Sequence, residues 1–306
     1  MKNLLSKIHN HQYGVSPNHF FFSPGRVNLI GEHTDYSGGY CFPMSIHLGI
    51  YASVSLRSDQ SIYIYSDDFK DLGVFQVQKP YQYDVKKSYT NYIEGVLSVL
   101  EKFNISINQG YNISIYSTLP KSSGLSSSAS LEVLILTIFN ELEKLKLDSL
   151  TIATMSQVVE NQFIGVSSGI MDQFVIVFGK KNKVLLLDTE NLNYQLADIN
   201  LEDYQLVLMN TNKKRNLVES NYNERHSSIQ KAIQYFNKPL RKVTDEELLI
   251  RKTSMSNQLW SRFKHVVTEN KRTLDAYQAL IDNDYLQLGM LMNESHQSLK
   301  DDFEVS

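Results

Sequence analysis

Four short segments of this 306-residue chain concentrate the residue types that can do chemistry. The densest is Ser23-Pro-Gly-Arg-Val-Asn-Leu-Ile-Gly-Glu-His-Thr-Asp-Tyr36, which packs Arg26, Glu32, His33 and Asp35 beside Pro24, Gly25 and Gly31. Carboxylates and an imidazole on one loop suit recognition of hydroxyl groups, because a carboxylate accepts several O–H bonds and an imidazole donates or accepts. A solvated turn with incidental acids is the competing reading. A metal at His33 and Asp35 is disfavoured, since no second His lies at ligand spacing.

The second segment, Leu119-Pro-Lys-Ser-Ser-Gly-Leu-Ser-Ser-Ser-Ala-Ser130, runs straight into the apolar stretch Leu131–Phe139. Small residues let a backbone wrap an anion, and the following helix points its free N–H groups and positive dipole end at it. Serine hydroxyls could add hydrogen bonds or a Mg²⁺ ligand. This is not a Walker A loop, because no Gly-Lys-[Ser/Thr] follows. A serine-rich helix cap is the alternative, yet Ser126-Ser-Ser-Ala-Ser130 exceeds what a cap needs. The third segment, Gly169-Ile-Met-Asp-Gln-Phe174, sets Asp172 between a small-residue turn and an apolar run read as a strand. Such a half-buried acid is more often hydrogen-bonded structure than a catalyst. Glu160, on an expected helix, reads as a surface acid. The fourth segment, Asn212 to Arg225, includes Tyr222, and its charge run reads as a solvated helix start. Trp260, the methionines and Cys41 read as core.

The elements that must position these segments are written in the hydrophobic pattern. Ile46, Leu48, Ile50, Ala52, Val54 and Leu56 alternate with His47, Gly49, Tyr51, Ser53 and Ser55, which predicts a half-buried strand. Ser61–Ser66 and the alternation at Tyr111, Ile113 and Ile115 predict two more strands. Tyr89, Tyr92, Ile93, Val96, Leu97, Leu100 and Phe103 repeat at three and four residues, as on an amphipathic helix. Helices are expected over 125–143 and 151–163, then strands at Phe174–Phe178, Val184–Asp188 and Tyr204–Asn210, then mostly helix from about 216. Strands and helices mix without regular βαβ alternation, which favours α+β. The shift at Gly179–Lys183 divides the chain into expected domains 1–180 and 181–306.

Composition narrows the class. Apolar residues are 42 % and charged residues 21 %, a globular balance, and the net charge of −3 disfavours a nucleic-acid coat. A single cysteine excludes an internal disulfide and a four-cysteine zinc site. Met1–Gly14 has no apolar stretch of the ~7–15 residues a secretory signal needs, and Leu131–Phe139 is far short of the ~20 residues a membrane helix needs. The expectation is a soluble cytoplasmic protein with no membrane or nucleic-acid partner, and a monomer, although composition does not fix the oligomeric state.

Taken together and in this order, the segments resemble the galactokinase family, within the sugar and metabolite kinases known by the initials GHMP. Ser23–Tyr36 is similar to that family's sugar signature, Leu119–Ser130 to its phosphate-binding motif, and Gly169–Phe174 to its acid segment. Trp260 to Asn270, including Lys264-His-Val-Val267, resembles a helix of the same family. The resemblance implies a two-lobed α+β fold with the active site between the lobes. It also implies transfer of the γ-phosphoryl group of ATP, with Mg²⁺, to the anomeric hydroxyl of galactose. On that resemblance Glu32, His33, Asp35, Gly169 and Tyr222 would hold sugar hydroxyls. Asp172 would be the base at the C1 hydroxyl or its orienter, with Arg26 beside it. Gly124, Ser126, Ser127 and Ser128 would cradle phosphates, Tyr89 would lie near the adenine, and Ser128 and Glu160 would be the Mg²⁺ ligands.

The chain departs from the family at several points. Ser122 stands where the phosphate loop usually has another Gly, Glu160-Asn161 replaces an acid-His pair, and Ser167-Ser168 replaces Pro-Cys. A third, glycine-rich motif resembling Gly-Ala-Arg-Met-Thr-Gly-Ala-Gly-Phe-Gly-Gly is missing. The expectation is therefore a C-terminally truncated member whose second lobe is incomplete, with apolar surface uncovered and turnover impaired. A non-catalytic galactose and ATP sensor, an inactive fragment, and a kinase for N-acetylgalactosamine are the alternatives.

Overall fold

A computed structural model of the chain describes residues 1–77, 80–210, 220–236 and 238–305. In chain order the first elements are α1 (Lys2–Tyr13), β1 (His19–Asn28), β2 (Tyr40–Cys41), β3 (Pro43–Arg57), β4 (Ser61–Ser66) and β5 (Asp71–Gln76). There follow α2 (Thr90–Lys102), β6 (Gly110–Ser117), α3 (Ser127–Leu142), α4 (Ser149–Val158) and α5 (Met171–Phe178). The last are β7 (Lys183–Asp188), β8 (Asn193–Asp198), α6 (Ser220–Ile233), α7 (Asp245–Arg251), α8 (Asn257–Ile281) and α9 (Tyr285–Asp301). The mixture is α+β, as the irregular alternation of elements predicts.

A five-stranded sheet runs β1-β3-β6-β4-β5, antiparallel except where β4 lies parallel to β6. The periodic apolar residues of α2 (Ile93, Val96, Leu97, Leu100) and of α3 (Leu134, Ile135, Ile138, Phe139) share one core with Ile50, Ala52, Val54, Ile64 and Ile113 of the sheet. Each such side chain taken fully from water contributes roughly 1.5–3 kcal/mol. That core continues past residue 180 into Val184, Leu186, Ala197, Ala276 and Leu280. A second sheet, β2-β7-β8, is antiparallel throughout. It ties Tyr40 and Cys41, at the end of the first chemical segment, to Asp188 and Leu187. Among the described residues, no helix is long and apolar enough to cross a membrane.

The structure corrects four sequence readings. Ser53 and Ser55 are buried rather than solvated, because α1 covers the second face of β3, and Leu56, near the end of the strand, is exposed. His9 of α1 satisfies both hydroxyls, with Nε2 2.9 Å from Ser55 Oγ and Nδ1 3.2 Å from Ser53 Oγ. Phe174–Phe178 is helix, not strand: a short buried apolar run has no periodicity that separates the two, and packing against α3 and α4 decides it. Tyr204–Asn210 forms no strand, since no described strand pairs with it, and its Val207, Leu208 and Met209 are exposed. The helix expected over 151–163 ends as α4 at Val158 and continues as a π-helical turn, Val159–Ile164. Of the Asn212–Arg225 run, residues 212–219 lie outside the described residues, and the remainder opens α6.

Burial lowers the pKa of His9 from 6.5 to about 4, partly opposed by the Ser53 backbone. Between those values the unfolded chain binds a proton that the folded chain refuses, so stability falls as pH drops from about 6.5 to 4. We expect this residue to account for about 3 kcal/mol of that acid destabilisation. Denaturant unfolding of the wild type and His9→Gln across that range checks it, since the variant's curve should be flatter. Parallel curves would remove His9 from the acid response.

Candidate active site

A bulge in β1 begins the site. The β1–β3 register slips between Pro24 and Arg26, and a Cβ on the intervening Gly25 would collide with Leu119 and the Leu125 carbonyl. The strand thus passes close under the 119–126 loop, and the Arg26 amide donates to the Leu125 carbonyl at 3.3 Å. The slip turns Arg26 across to α5, where its Nε and Nη2 donate to Oδ1 and Oδ2 of Asp172, both at 2.6 Å. Its Nη1 donates to the Gly124 carbonyl at 2.8 Å. A two-pronged charged contact of this kind fixes orientation as well as distance. The guanidinium pKa is raised: burial pulls it down, but Asp172, with Glu32 and Asp35 behind it, more than offsets that.

The loop over this pair is wound by left-handed residues, Ser122 (φ 56°), Gly124 (φ 73°) and Ser126 (φ 58°). A side chain at such angles costs roughly 1–2 kcal/mol, so Ser122 carries strain a Gly would not. Ser126 occupies the N-cap position of α3 but does not cap it; its hydroxyl donates to Asp172 Oδ2 instead. The serine-rich cap reading therefore fails, and among the described residues no side chain caps the first amides of α3. Two residues on, Ser128 Oγ donates to Glu160 Oε1 at 2.8 Å. Glu160 is not a surface acid, because the π-helical turn aims it inward and leaves it buried. Burial, then Asp172, raises its pKa, against hydrogen bonds from Ser168, Ser128 and Gln173.

The other acids sit on the 29–40 loop. Gly31 (φ 94°) has the Tyr40 carbonyl 2.6 Å from where a Cβ would lie, so neither angle nor space admits a side chain. Beyond it the Glu32 carboxylate accepts from Asn28 Nδ2 at 3.1 Å. Burial raises its pKa, with Glu269 and Asp172 adding to the effect and Arg26 and Asn28 opposing it. Asp35 is pushed from 3.8 to about 7 by burial, then by Asp172 and Glu32. It lies against Gly169, where a Cβ would overlap its carboxylate. His33, itself left-handed (φ 62°), stacks on Phe303 at 4.4 Å and holds Tyr36 OH at 2.9 Å through Nδ1. Tyr222 of α6 completes this wall, its ring 5.7 Å from His33.

Arg26, Glu32, His33, Asp35, Gly169, Asp172, Tyr222, Gly124, Ser126, Ser128 and Glu160 thus fall in one neighbourhood, with Ser127 opening α3 beside them. Tyr89 is brought to the edge of it differently. Its ring is buried beneath Phe69 at 5.2 Å, and its hydroxyl donates to the carbonyls of Ile64 and Asp71, both at 3.0 Å. It can meet a base only if Phe69 moves.

Sequence reasoning missed the support for the 29–40 loop, which comes from the buried polar residues His265, Glu269, Asn270 and Thr273 of α8. Asn270 Oδ1 accepts the Tyr40 amide at 2.8 Å, and Glu269 accepts the amides of Gly31 and Glu32. The available signal was polar residues at helical spacing on the face that the neighbouring Phe263, Val266 and Val267 mark as buried.

Gly169 offers a direct test of how tightly the acids are held. Gly169→Ala must displace Asp35 or the turn before α5, and we expect a loss of about 1–3 kcal/mol in unfolding free energy. An unchanged melting transition would show that the overlap is relieved without cost.

Comparisons with known proteins identify the family. Residues 7–56 match the galactokinase galactose-binding signature and residues 91–180 the GHMP kinases N terminal domain. A galactokinase of Clostridium beijerinckii is 45 % identical over 293 residues, covering 94 % of this chain and 75 % of that protein. One of Enterococcus faecalis is 41 % identical over 313 residues, covering 100 % of this chain and 81 % of that protein. The crystal structure of Lactococcus lactis galactokinase complexed with galactose superposes with a TM-score of 0.92 at 38 % identity, over 99 % of this chain and 80 % of that one. A mevalonate kinase structure shares the fold alone, with a TM-score of 0.57 at 20 % identity. With the 23–36 and 119–130 segments and Asp172 folded into one neighbourhood, and with these relatives over most of its length, the chain belongs to the galactokinase family of the GHMP kinases.

Proposed function

We infer that the protein is a galactokinase, transferring the γ-phosphoryl group of ATP to the anomeric hydroxyl of galactose in the cytoplasm. One observation carries the reading. A single guanidinium, Arg26, bonds both oxygens of Asp172 and the Gly124 carbonyl of the phosphate loop, so the acid and the loop are held by one side chain.

Asp172 orients the C1 hydroxyl. Its two oxygens offer about four lone-pair positions, and Arg26 and Ser126 occupy three of them. The remaining position accepts the sugar O–H, and the proton passes to Asp172 as the new O–P bond forms and the bond from the γ-phosphorus to the β–γ bridging oxygen breaks, releasing ADP. In a loose phosphoryl-transfer transition state little proton removal is needed beforehand, so a carboxylate beside an arginine suffices. Glu32, Asp35, His33 and Tyr222 hold the other hydroxyls, and the Gly169 backbone closes against Asp35. Gly124, Ser126, Ser127 and Ser128 cradle the phosphates, whose charge the uncapped amides of α3 and Arg26 offset.

A magnesium ion would be carried by the nucleotide and held by Ser128 and Glu160. Among the described residues no group of three His, Cys, Asp or Glu could cage a cation. Ser128 and Glu160 nonetheless fit an ion that takes one or two protein oxygens and completes its shell with phosphate and water. When bound there it would neutralise charge on the transferring group.

Two outcomes test the reading. Asp172→Asn should lower galactose-dependent ADP release by about 10²–10⁴-fold while calorimetry still registers galactose binding; undiminished turnover would remove Asp172 from the reaction. Asp35 accepts hydroxyls as a carboxylate, so protonation below its pKa of about 7 weakens sugar binding. The KM for galactose should rise about tenfold between pH 8 and pH 6, and Asp35→Asn should abolish that slope. A KM for galactose that is flat over this range would exclude Asp35 as an acceptor.

A further inference from the structure

The 29–40 loop carries three of the residues assigned to the sugar, yet its conformation is not one the loop can hold alone. Gly31 and His33 are both left-handed. The carboxylates of Glu32 and Asp35 are held among other acids that repel them. A loop so loaded needs an outside anchor, and that anchor lies more than two hundred residues away in sequence.

Glu269, on α8, is fully buried. Its Oε1 accepts two successive backbone amides, those of Gly31 at 3.0 Å and Glu32 at 3.3 Å. The same oxygen accepts the Ser295 hydroxyl from α9. Its other oxygen is taken by Arg272, one turn along α8, at 2.8 Å. One turn earlier on α8, His265 Nε2 lies 3.1 Å from the Glu32 carbonyl and, since a carbonyl only accepts, donates to it. Glu32 is therefore gripped at its N–H by Glu269 and at its C=O by His265, while Asn28 holds its side chain. Two consecutive amides converging on one anionic oxygen fix the φ and ψ of Gly31, the residue between them, and with them the tilt of the Gly31–Glu32 peptide. The rotation of that peptide sets where the Glu32 carboxylate points.

We propose that Glu269 is a positioning residue for galactose recognition, acting through the Gly31 and Glu32 amides to hold the Glu32 carboxylate at the sugar. This rests on Glu32 binding the sugar as proposed above. Glu269 is buried, and its partners are the Gly31 and Glu32 amides, Ser295 and Arg272, none of which is assigned to the phosphates. Its loss should therefore be read in the sugar and not in the nucleotide.

The test uses the full chain and three variants: Glu269→Ala, Glu269→Gln, which keeps a carbonyl oxygen for the amides but loses the charge shared with Arg272, and Ser295→Ala, which removes one donor and leaves the carboxylate. Steady-state ADP release should give a KM for galactose at least tenfold higher in Glu269→Ala, with the KM for ATP within twofold. Glu269→Gln should fall between that and the wild type, and Ser295→Ala should lie nearest the wild type. Amide hydrogen exchange reads the anchor without turnover: Gly31 and Glu32 should exchange at least tenfold faster in Glu269→Ala, including in any variant too weakly active to assay. Equal loss in both KM values, loss in kcat alone, or unchanged exchange at Gly31 and Glu32 would overturn the proposal. Absence of galactose-dependent ADP release by the wild type would instead count against the function, and the exchange result would still decide the anchor.

Discussion

Everything at the centre of this molecule is arranged around the contact between Arg26 and Asp172. The two residues are 146 positions apart, and the guanidinium also reaches Gly124, 98 positions away. One planar side chain therefore joins the bulged strand β1, the left-handed loop before α3, and the first turn of α5. The geometry depends on arginine in particular. Its fixed fork meets both carboxylate oxygens and a carbonyl at once, which a lysine point charge could not do. The same charge is what allows Glu32, Asp35 and Asp172 to share a small volume without mutual expulsion.

That arrangement is costly to the folded state. Asp35, Glu32 and Glu160 all have raised pKa values because burial and their acidic neighbours disfavour the ionised form. Ser122, Ser126 and His33 adopt left-handed backbone angles that side chains resist. Strain of this kind persists where surrounding structure over-determines it, and it collects where groups must be held ready for a ligand. Here the over-determination is visible: β3 and β6 lie beneath, α1 seals the far face of the sheet through His9, and α8 presents a buried polar ridge to the sugar loop.

The chemical segments were legible because each is local. Ser23–Tyr36, Leu119–Ser130 and Gly169–Phe174 announce themselves by residue type at close spacing, and strands β3, β4 and β6 and helices α2 and α3 by apolar period. The failures share a cause. Ser53 and Ser55 look solvated until α1 is laid over them, and Phe174–Phe178 is an apolar run that either backbone could bury. Tyr204–Asn210 has strand composition but no described strand to pair with. Ser126 looks like a cap until Asp172, 46 residues later, competes for its hydroxyl. Glu160 looks exposed until a π-helical turn rotates it inward.

The sequence by itself determined the inventory: which acids, which small residues and which arginine are present, and that they gather in the 23–36 and 119–130 segments. Those are properties of side chains and of short-range backbone freedom. That Ser23–Asn28 belongs to strand β1 rather than to a loop, the sequence did not show. The tertiary structure alone decided which of them meet. Arg26 with Asp172, Ser128 with Glu160, Asp35 with Gly169 and Glu269 with the Gly31 and Glu32 amides are all contacts between distant parts of the chain. Their formation follows from how the sheet and helices bury their apolar faces, because it is that burial which sets the distances between loops. Local spacing carries no information about those distances.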